Sequence, residues 1–502
     1  MLSLEQGLLN MSIIQMLIAQ MFSGDDVGDI GHSLRFRSSA SAYLSRTITT
    51  DATTTYFAAV KRGKLGAVSP IFDTNIKFNA NDTLTAFGLT TTAVFRDTTS
   101  WLFIHVSNGG LYVNGVSFGA VTTSALTNPR IGFDGTNYFD GYIARLGCVA
   151  GSSSAYTNFG YFNTNINEWV SKSQSQVKAV VDAGGTNSFM LDFDNGTSTT
   201  TLGYDKSSKG NNWTCNNISL TAGTTYDWML DVPGNSYCTM NPLDPITTKT
   251  YTDGNLRATA TGYNFGHANY TVSAGKWYWE VTPLSGVATY GSHVAVDFGY
   301  TVANQSPGTT ATDYAFQENA FKRNNNVTTA YGASYSDNDV IGVALDFDAG
   351  TLVFYKNGVS QGTAYSTLSG TATPHIGSRS GAGGTVFALN FGQQPFAYTP
   401  PTGFNALCQA NLLDAGTVIV SGSFTGNANA NGPFVWMNGV PDTLTINGNA
   451  VTFGTHADKL ANGFKLRTSS ASYNVAGSNT WTATITSDTK NIFKYNTAEG
   501  NP

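Results

Sequence analysis

Gly358-Val359-Ser360-Gln361-Gly362 carries the G-x-S-x-G spacing that, on a strand-to-helix elbow, exposes a serine nucleophile. Here the serine follows an Asn-Gly turn and enters a second strand, so the elbow is missing and no acyl-transfer chemistry is expected. Leu191-Asp192-Phe193-Asp194-Asn195-Gly196 and Leu345-Asp346-Phe347-Asp348-Ala349-Gly350 repeat an L-D-F-D-x-G phrase whose alternating carboxylates suit calcium or acid/base work. Neither copy runs on into a calcium loop with its distant glutamate. Alternation in a strand also sets Asp on the solvent face before a turn, which is the reading preferred for both. The histidines His32, His105, His267, His293, His375 and His456 never fall at metal-ligand spacing. Cys148, Cys215, Cys238 and Cys408 form no C-x-x-C pair and read as buried free thiols. The glycine-rich run 377–384 lacks the lysine and helix of a phosphate loop. Trp277 and Trp279 share one side of a strand and are assigned to the core. No catalytic residue, metal or cofactor is therefore expected.

The elements that hold these residues are strands. Asn114-Gly115, Asn357-Gly358 and Asn438-Gly439 each interrupt an aromatic-bearing apolar alternation, and Asn-Gly is the preferred pair for a type I′ hairpin because both central residues need positive φ. A further Asn447-Gly448 turn follows. Charged residues make up 12% of the chain and 54 positions are glycine, a composition of short strands and turns rather than surface helices. At 502 residues, two to four domains are expected. A net charge of -6 without clustered Lys and Arg argues against nucleic acid as a partner. The first basic residue is Arg35, so no secretory signal is expected.

One strong helical pattern lies at the N-terminus. Ser3 with Gln6 fits a capping box and Gly24-Asp25-Asp26 marks a stop, leaving about 19 residues or ~29 Å of helix. Leu4, Leu8, Met11, Gln15, Ile18 and Phe22 recur at alternating steps of four and three, the spacing of an oligomerisation seam with one polar layer. Asn10, Gln15 and Gln20 interrupt the run, so a bundle or anchor in a homo-oligomer, a trimer among the options, is preferred to a membrane span.

From 33 to 200 short strands alternate: Leu34-Arg35-Phe36-Arg37, Trp101 to Val106, the Asn114-Gly115 hairpin, and Phe139-Asp140-Gly141-Tyr142-Ile143-Ala144. This order resembles a laminin G-like or concanavalin-type sandwich. In the segment 239–407, Lys276-Trp277-Tyr278-Trp279-Glu280-Val281, then Val294 to Tyr300, Asp339 to Asp348 into Asn357-Gly358, and Asn390-Phe391-Gly392-Gln393 resemble a SPRY domain. That resemblance implies a recognition sandwich with variable edge loops, binding rather than catalysis. The chain thus reads as all-β: tandem antiparallel β-sandwiches with an N-terminal helix (1–32), a connecting segment 201–238 and a small C-terminal β domain 408–502. Tyr290, Tyr314, Arg323, Asn325 and Arg379, expected on loops of the SPRY-like module, are the contact candidates, because aromatic and Arg side chains bury area and hydrogen-bond at modest entropic cost.

Taken together, a helix followed by lectin-like sandwiches resembles a tailed-bacteriophage virion fibre. That resemblance implies a virion location after assembly in the host cytoplasm, other virion proteins contacted through the helix, and a host cell-surface glycan or protein as ligand. Two rival readings are a capsid decoration or head-fibre protein and an envelope-polysaccharide hydrolase. The hydrolase would need carboxylates about 5 to 10 Å apart across a groove, and no compact motif supplies them.

Overall fold

The computed structural model describes residues 30–485 apart from 164–167, 245–248, 262–264, 300–305, 380–383, 413–417, 430–433, 437–442, 453–454 and 461–462. The expected N-terminal helix, with Leu4, Leu8, Met11, Gln15, Ile18 and Phe22, lies outside the described residues, as does the Asn438-Gly439 turn.

Two antiparallel sheets form the first sandwich. One runs in the order Val116–Gly119, Gly110–Val113, Leu102–Ser107, Thr54–Arg62, Gly141–Ala150, Ser33–Phe36 and Trp228–Met229. The other runs Thr214–Asn216, Tyr43–Ser45, Arg130–Ile131, Ser69–Phe72, Ile76–Phe78, Thr83–Ala86 and Leu89–Val94. Their inner faces bury Leu34, Phe36, Val60, Ile104 and Ile143 against Phe72, Phe78, Leu84 and Ile131. The segment 201–238, expected as a connection, is corrected here: Thr214–Asn216 pairs with Tyr43–Ser45, and Trp228–Met229 pairs with Ser33–Phe36. A buried charge cluster fixes that return, since Asp227 accepts from Arg35 at 3.1 Å and from Arg37 at 2.8 Å.

The second sandwich repeats the architecture. Its larger sheet runs Lys249–Thr252, Arg257–Thr261, Gly384–Asn390, Lys276–Ser285, Ile341–Asp346, Thr351–Lys356 and Val359–Tyr365. The facing sheet runs Phe265–His267, Thr373–Gly377, His293–Asp297, Asp313–Gln317, Phe321–Asn324 and Val327–Ala330. Trp277 and Trp279 are 2% and 1% exposed, which places both in the core. C-terminal to this, seven strands among the described residues form a four-stranded and a three-stranded sheet around Leu444, Ile446, Phe464, Leu466 and Trp481.

The three described Asn-Gly turns share one construction. Asn114 and Gly115 have φ 48° and 77°, Asn357 and Gly358 48° and 78°, Asn447 and Gly448 50° and 77°. Positive φ at both positions gives the twist that a two-residue hairpin needs. In each, the Asn Oδ1 also accepts an N–H from the neighbouring strand: Phe103 at 2.8 Å, Val340 at 2.8 Å and Thr480 at 3.0 Å. The side chain thereby satisfies a ladder donor that the turning backbone abandons.

The outer face of the first sandwich's larger sheet packs directly on the second. Ala59, Tyr142, Ala144 and Met229 belong to the same apolar core as Trp277, Trp279 and Phe387. Tyr142 Oη donates to Gly254 O at 2.8 Å, and Asp140 accepts from the N–H groups of Asp253 and Gly254 at 2.9 and 2.8 Å. Lys61 and Asp231, both with 0% side-chain exposure, pair at 2.7 Å. Gly254, at φ 69°, has no alternative here, because a Cβ would lie 2.6 Å from the Tyr142 ring.

Candidate interaction surface

In the second sandwich the strand Lys276–Ser285 runs through Gly286, at φ 94°, into the short helix Val287–Tyr290, and Gly291, at φ 70°, turns the chain into His293–Asp297. Arg379, two residues beyond the strand Thr373–Gly377, donates its backbone N–H to Tyr290 O at 2.8 Å. A Cβ at position 291 would come 2.8 Å from Arg379 Cβ, so the glycine is what admits the arginine. The Arg379 guanidinium stands 3.0 Å from Glu318 Oε1, with 54% of its side chain exposed against 9% for Glu318. Glu318 is itself anchored: its Oε2 accepts from Ser292 N at 3.0 Å, its backbone N–H donates to Ser292 O at 3.1 Å, and its carbonyl accepts from Tyr335 N at 2.9 Å. Buried Tyr335 closes the arrangement through its hydroxyl, which donates to Ser292 O at 2.8 Å. A buried carboxylate thus lies against a half-exposed guanidinium whose backbone is bonded to Tyr290.

The other sequence candidates divide. Asn325 occupies the exposed turn between Phe321–Asn324 and Val327–Ala330, with φ 49° followed by 60° at Asn326. Tyr314 and Arg323, expected on loops, lie in the strands Asp313–Gln317 and Phe321–Asn324. The Tyr314 ring packs edge-on against Phe298 and Tyr365, with centroids 5.5 and 4.9 Å away, as a half-buried satellite of the core. Arg323 hydrogen-bonds Asn326 Oδ1 across the hairpin. Tyr290 and Arg379 are therefore brought together, while Arg323 and Asn325 share the neighbouring hairpin.

The same facing sheet holds a buried polar network that sequence spacing does not show. His267 sits between Asp244, 3.1 Å from Nδ1, and Asp297, 3.2 Å from Nε2. Burial alone would lower its pKa, but the two carboxylates win and hold it above the ordinary 6.5. Asp244 also pairs with buried Lys249 at 2.9 Å. His375 Nε2 stands 2.9 Å from Asp313 Oδ1. His267, Asp297 and His375 place ligand-type atoms within 4.8 Å of one another, in a group assembled from three separate strands. The Asp–His–Asp hydrogen bonds give this group a structural role as a charged tie between strands. His293 is the opposite case: complete burial, reinforced by the positive fields of Arg323 and Arg379, pushes its pKa down to about 3.

The residues singled out for chemistry have structural partners. Asp192 takes both Arg145 Nε and Nη2 at 2.7 Å, deep in the first sandwich. Asp194 pairs with Lys206, and Asp346 pairs with Lys276 while its Oδ1 accepts the N–H groups of Asp348 and Ala349. Ser360 is exposed in the strand Val359–Tyr365, with no helix after it.

Comparison with known proteins bears on this same sandwich. Residues 276–394 match the SPRY domain family model. Over 152 residues the chain is 32% identical to the E3 ubiquitin-protein ligase RKP of Arabidopsis thaliana, a match covering 30% of this chain and 12% of that protein. Over 189 residues it is 29% identical to the Ran-binding proteins 9/10 homolog of Drosophila melanogaster, covering 34% of this chain and 19% of the other. Among solved structures, the SPRY domain of human HERC1 is 20% identical, with a TM-score of 0.28, covering 31% of this chain and 99% of that one. The chain spans 12% and 19% of the two curated relatives, so ligase activity and Ran binding are statements about those proteins.

These findings correct the expectation of a bacteriophage virion fibre, its virion location, and the decoration and hydrolase variants of it. The curated relatives are plant and fruit-fly proteins, and the matches support neither a phage origin nor a laminin G domain. Low charge and an Asn-, Thr-, Ser- and Gly-rich composition are what tandem antiparallel sandwiches with many turns require in any setting.

Proposed function

We propose that this chain is a protein-interaction module in which the SPRY-like sandwich binds a partner polypeptide at the edge formed by Tyr290 and Arg379. The observation that carries this reading is the pairing of a half-exposed guanidinium with the buried carboxylate of a residue anchored through its backbone and through Ser292 N. The Arg379 guanidinium stands 3.0 Å from Glu318 Oε1 and is 54% exposed, which leaves its N–H donors open to a partner's carboxylate or carbonyl. Tyr290 beside it supplies apolar area together with a hydroxyl. The role is binding rather than catalysis: the serine and carboxylates that resemble catalytic groups are committed to strands, salt bridges and turns.

The test is a photo-crosslinking amino acid at position 290 of the full chain, irradiated in eukaryotic cell extract. A discrete protein adduct that disappears on Arg379→Glu, with none from a probe at exposed Val475, is expected. An adduct indifferent to Arg379→Glu, or equal labelling from both positions, contradicts the assignment.

A further inference from the structure

One stretch of the second sandwich's facing sheet is buried on both of its faces. Val294, Val296, Phe316 and Ile376 enter the apolar core, so strand alternation turns Asp297, Asp313 and His375 to the opposite side. There they are 1%, 3% and 1% exposed, and His267 beside them is 0% exposed. Register assembles the four from adjacent strands: His267 stands opposite His375, and Asp297 stands opposite Asp313. Like charges placed directly opposite destabilise a sheet, and burial removes the water that would screen them. A cation between the two carboxylates answers both costs.

The side chains are oriented from behind. Asp297 Oδ1 accepts the Gly299 N–H at 2.7 Å, and Asp313 Oδ2 accepts the Gly308 N–H. Asp297 Oδ2 then lies 3.2 Å from His267 Nε2, and Asp313 Oδ1 lies 2.9 Å from His375 Nε2. That second contact is close without being a hydrogen bond, since Asp313 Oδ1 is buried and accepts none among the described residues. Two donors on one tetrahedral zinc, each bonded at ~2.0 Å, stand roughly 3.3 Å apart, so both contacts have the separation of co-ligands. Asp244 Oδ2, 3.1 Å from His267 Nδ1, completes a carboxylate–histidine pair of the kind that fixes the proton on Nδ1 and offers Nε2 to a metal.

We propose that His267 Nε2, Asp297 Oδ2, His375 Nε2 and Asp313 Oδ1 bind a structural zinc ion. Two imidazoles and two carboxylates suit a borderline divalent cation, and the paired negative charges neutralise it. Four protein donors in a buried position leave no place for a substrate or for dioxygen, which separates this set from a catalytic zinc and from a non-haem iron triad. No separate cavity is required: zinc takes the place of the proton between His267 and Asp297, and that proton leaves to solvent. The donor atoms of His267, Asp297 and His375 lie within 4.8 Å of one another, so the widest pair draws in by at most about 1.5 Å. The ion is bound as the chain folds, and the Asp–His–Asp tie is the metal-free form of the same site.

The experiment is elemental analysis of the full chain produced in zinc-supplemented medium and gel-filtered into metal-free buffer. About one zinc per chain is expected, with a lower thermal transition after unfolding in chelator and refolding without metal. His375→Gln and Asp313→Asn should each reduce the zinc content to a small fraction of one, while His456→Gln, near the C-terminal sheets, leaves it unchanged. A wild-type chain produced with cobalt separates loss of a ligand from misfolding of a variant: visible bands of tetrahedral cobalt are expected, without thiolate charge transfer. A wild-type chain that retains no zinc, a zinc content unaltered by both His375→Gln and Asp313→Asn, or a thiolate band placing the ion at a cysteine overturns the proposal.

Discussion

His267 and His293 differ only in what surrounds them, and the difference predicts how stability depends on pH. A histidine whose folded pKa is depressed is neutral in the native state while the unfolded chain takes up a proton below about 6.5, so stability falls as pH drops from 6.5 toward the folded value. His293, lowered to about 3, acts this way. His267, raised by its carboxylates, stabilises below 6.5 and loses that contribution as pH rises through its folded pKa. Between pH 7 and 5, His293→Gln should therefore remove about 2 kcal/mol of the wild type's acid-induced loss, measured by urea unfolding at each pH. Equal losses in both proteins would contradict the assignment. Neither environment is legible in the sequence, where the spacing of the histidines carries no sign of their partners. His267 meets Asp297 and His375 only because three strands from distant segments share one sheet. Glu318 escaped for the same reason, its partner Arg379 lying on another strand connection. The residues that could be read were those whose neighbours are local: Trp277 and Trp279, alternating in one strand, and the Asn-Gly pairs.

Turns were legible at the scale of elements because backbone geometry constrains residue type directly. Gly358 and Gly448 have nearly the same φ, 78° and 77°, but a Cβ at 358 would meet Tyr398 at 2.5 Å whereas one at 448 meets nothing within 4 Å. Gly448→Ala should cost about 1 kcal/mol for the left-handed backbone alone, and Gly358→Ala more, about 2–3 kcal/mol. Urea midpoints of the two variants measure the contrast, and equal shifts would show that Tyr398 moves aside freely. Strand partners were not legible. Alternation identifies a strand but carries nothing about its neighbour, so Thr214–Asn216 and Trp228–Met229 read as a connection although they extend both sheets of the first sandwich. Loop placement failed at Tyr314 and Arg323, where strands of five and four residues between turns leave too little alternation to register.

At the scale of the whole molecule, composition identified an all-β chain and then misled about its setting. The features that suggested a virion fibre describe the architecture, not the biology, and the eukaryotic relatives of the SPRY-like sandwich overturn that reading. Sequence also gave no sign that the two sandwiches share a core, with Lys61 of one sheet paired to Asp231 where the chain crosses to the next. Lys61→Met leaves Asp231 buried without its cation and should cost about 3–5 kcal/mol, while adding Asp231→Leu should recover much of it. Because the junction is common to both cores, Lys61→Met should lower one transition followed by tryptophans of both sandwiches, and a shift confined to one sandwich would mean that they unfold independently. The central claim is that the Tyr290–Arg379 edge is where a partner protein binds. Its most direct test is hydrogen exchange of the full chain with and without a partner captured by the crosslink at position 290. The account predicts protection at residues 286–292 and around Glu318 and Tyr335, abolished by Arg379→Glu; protection confined to the first sandwich or to the C-terminal sheets would contradict it.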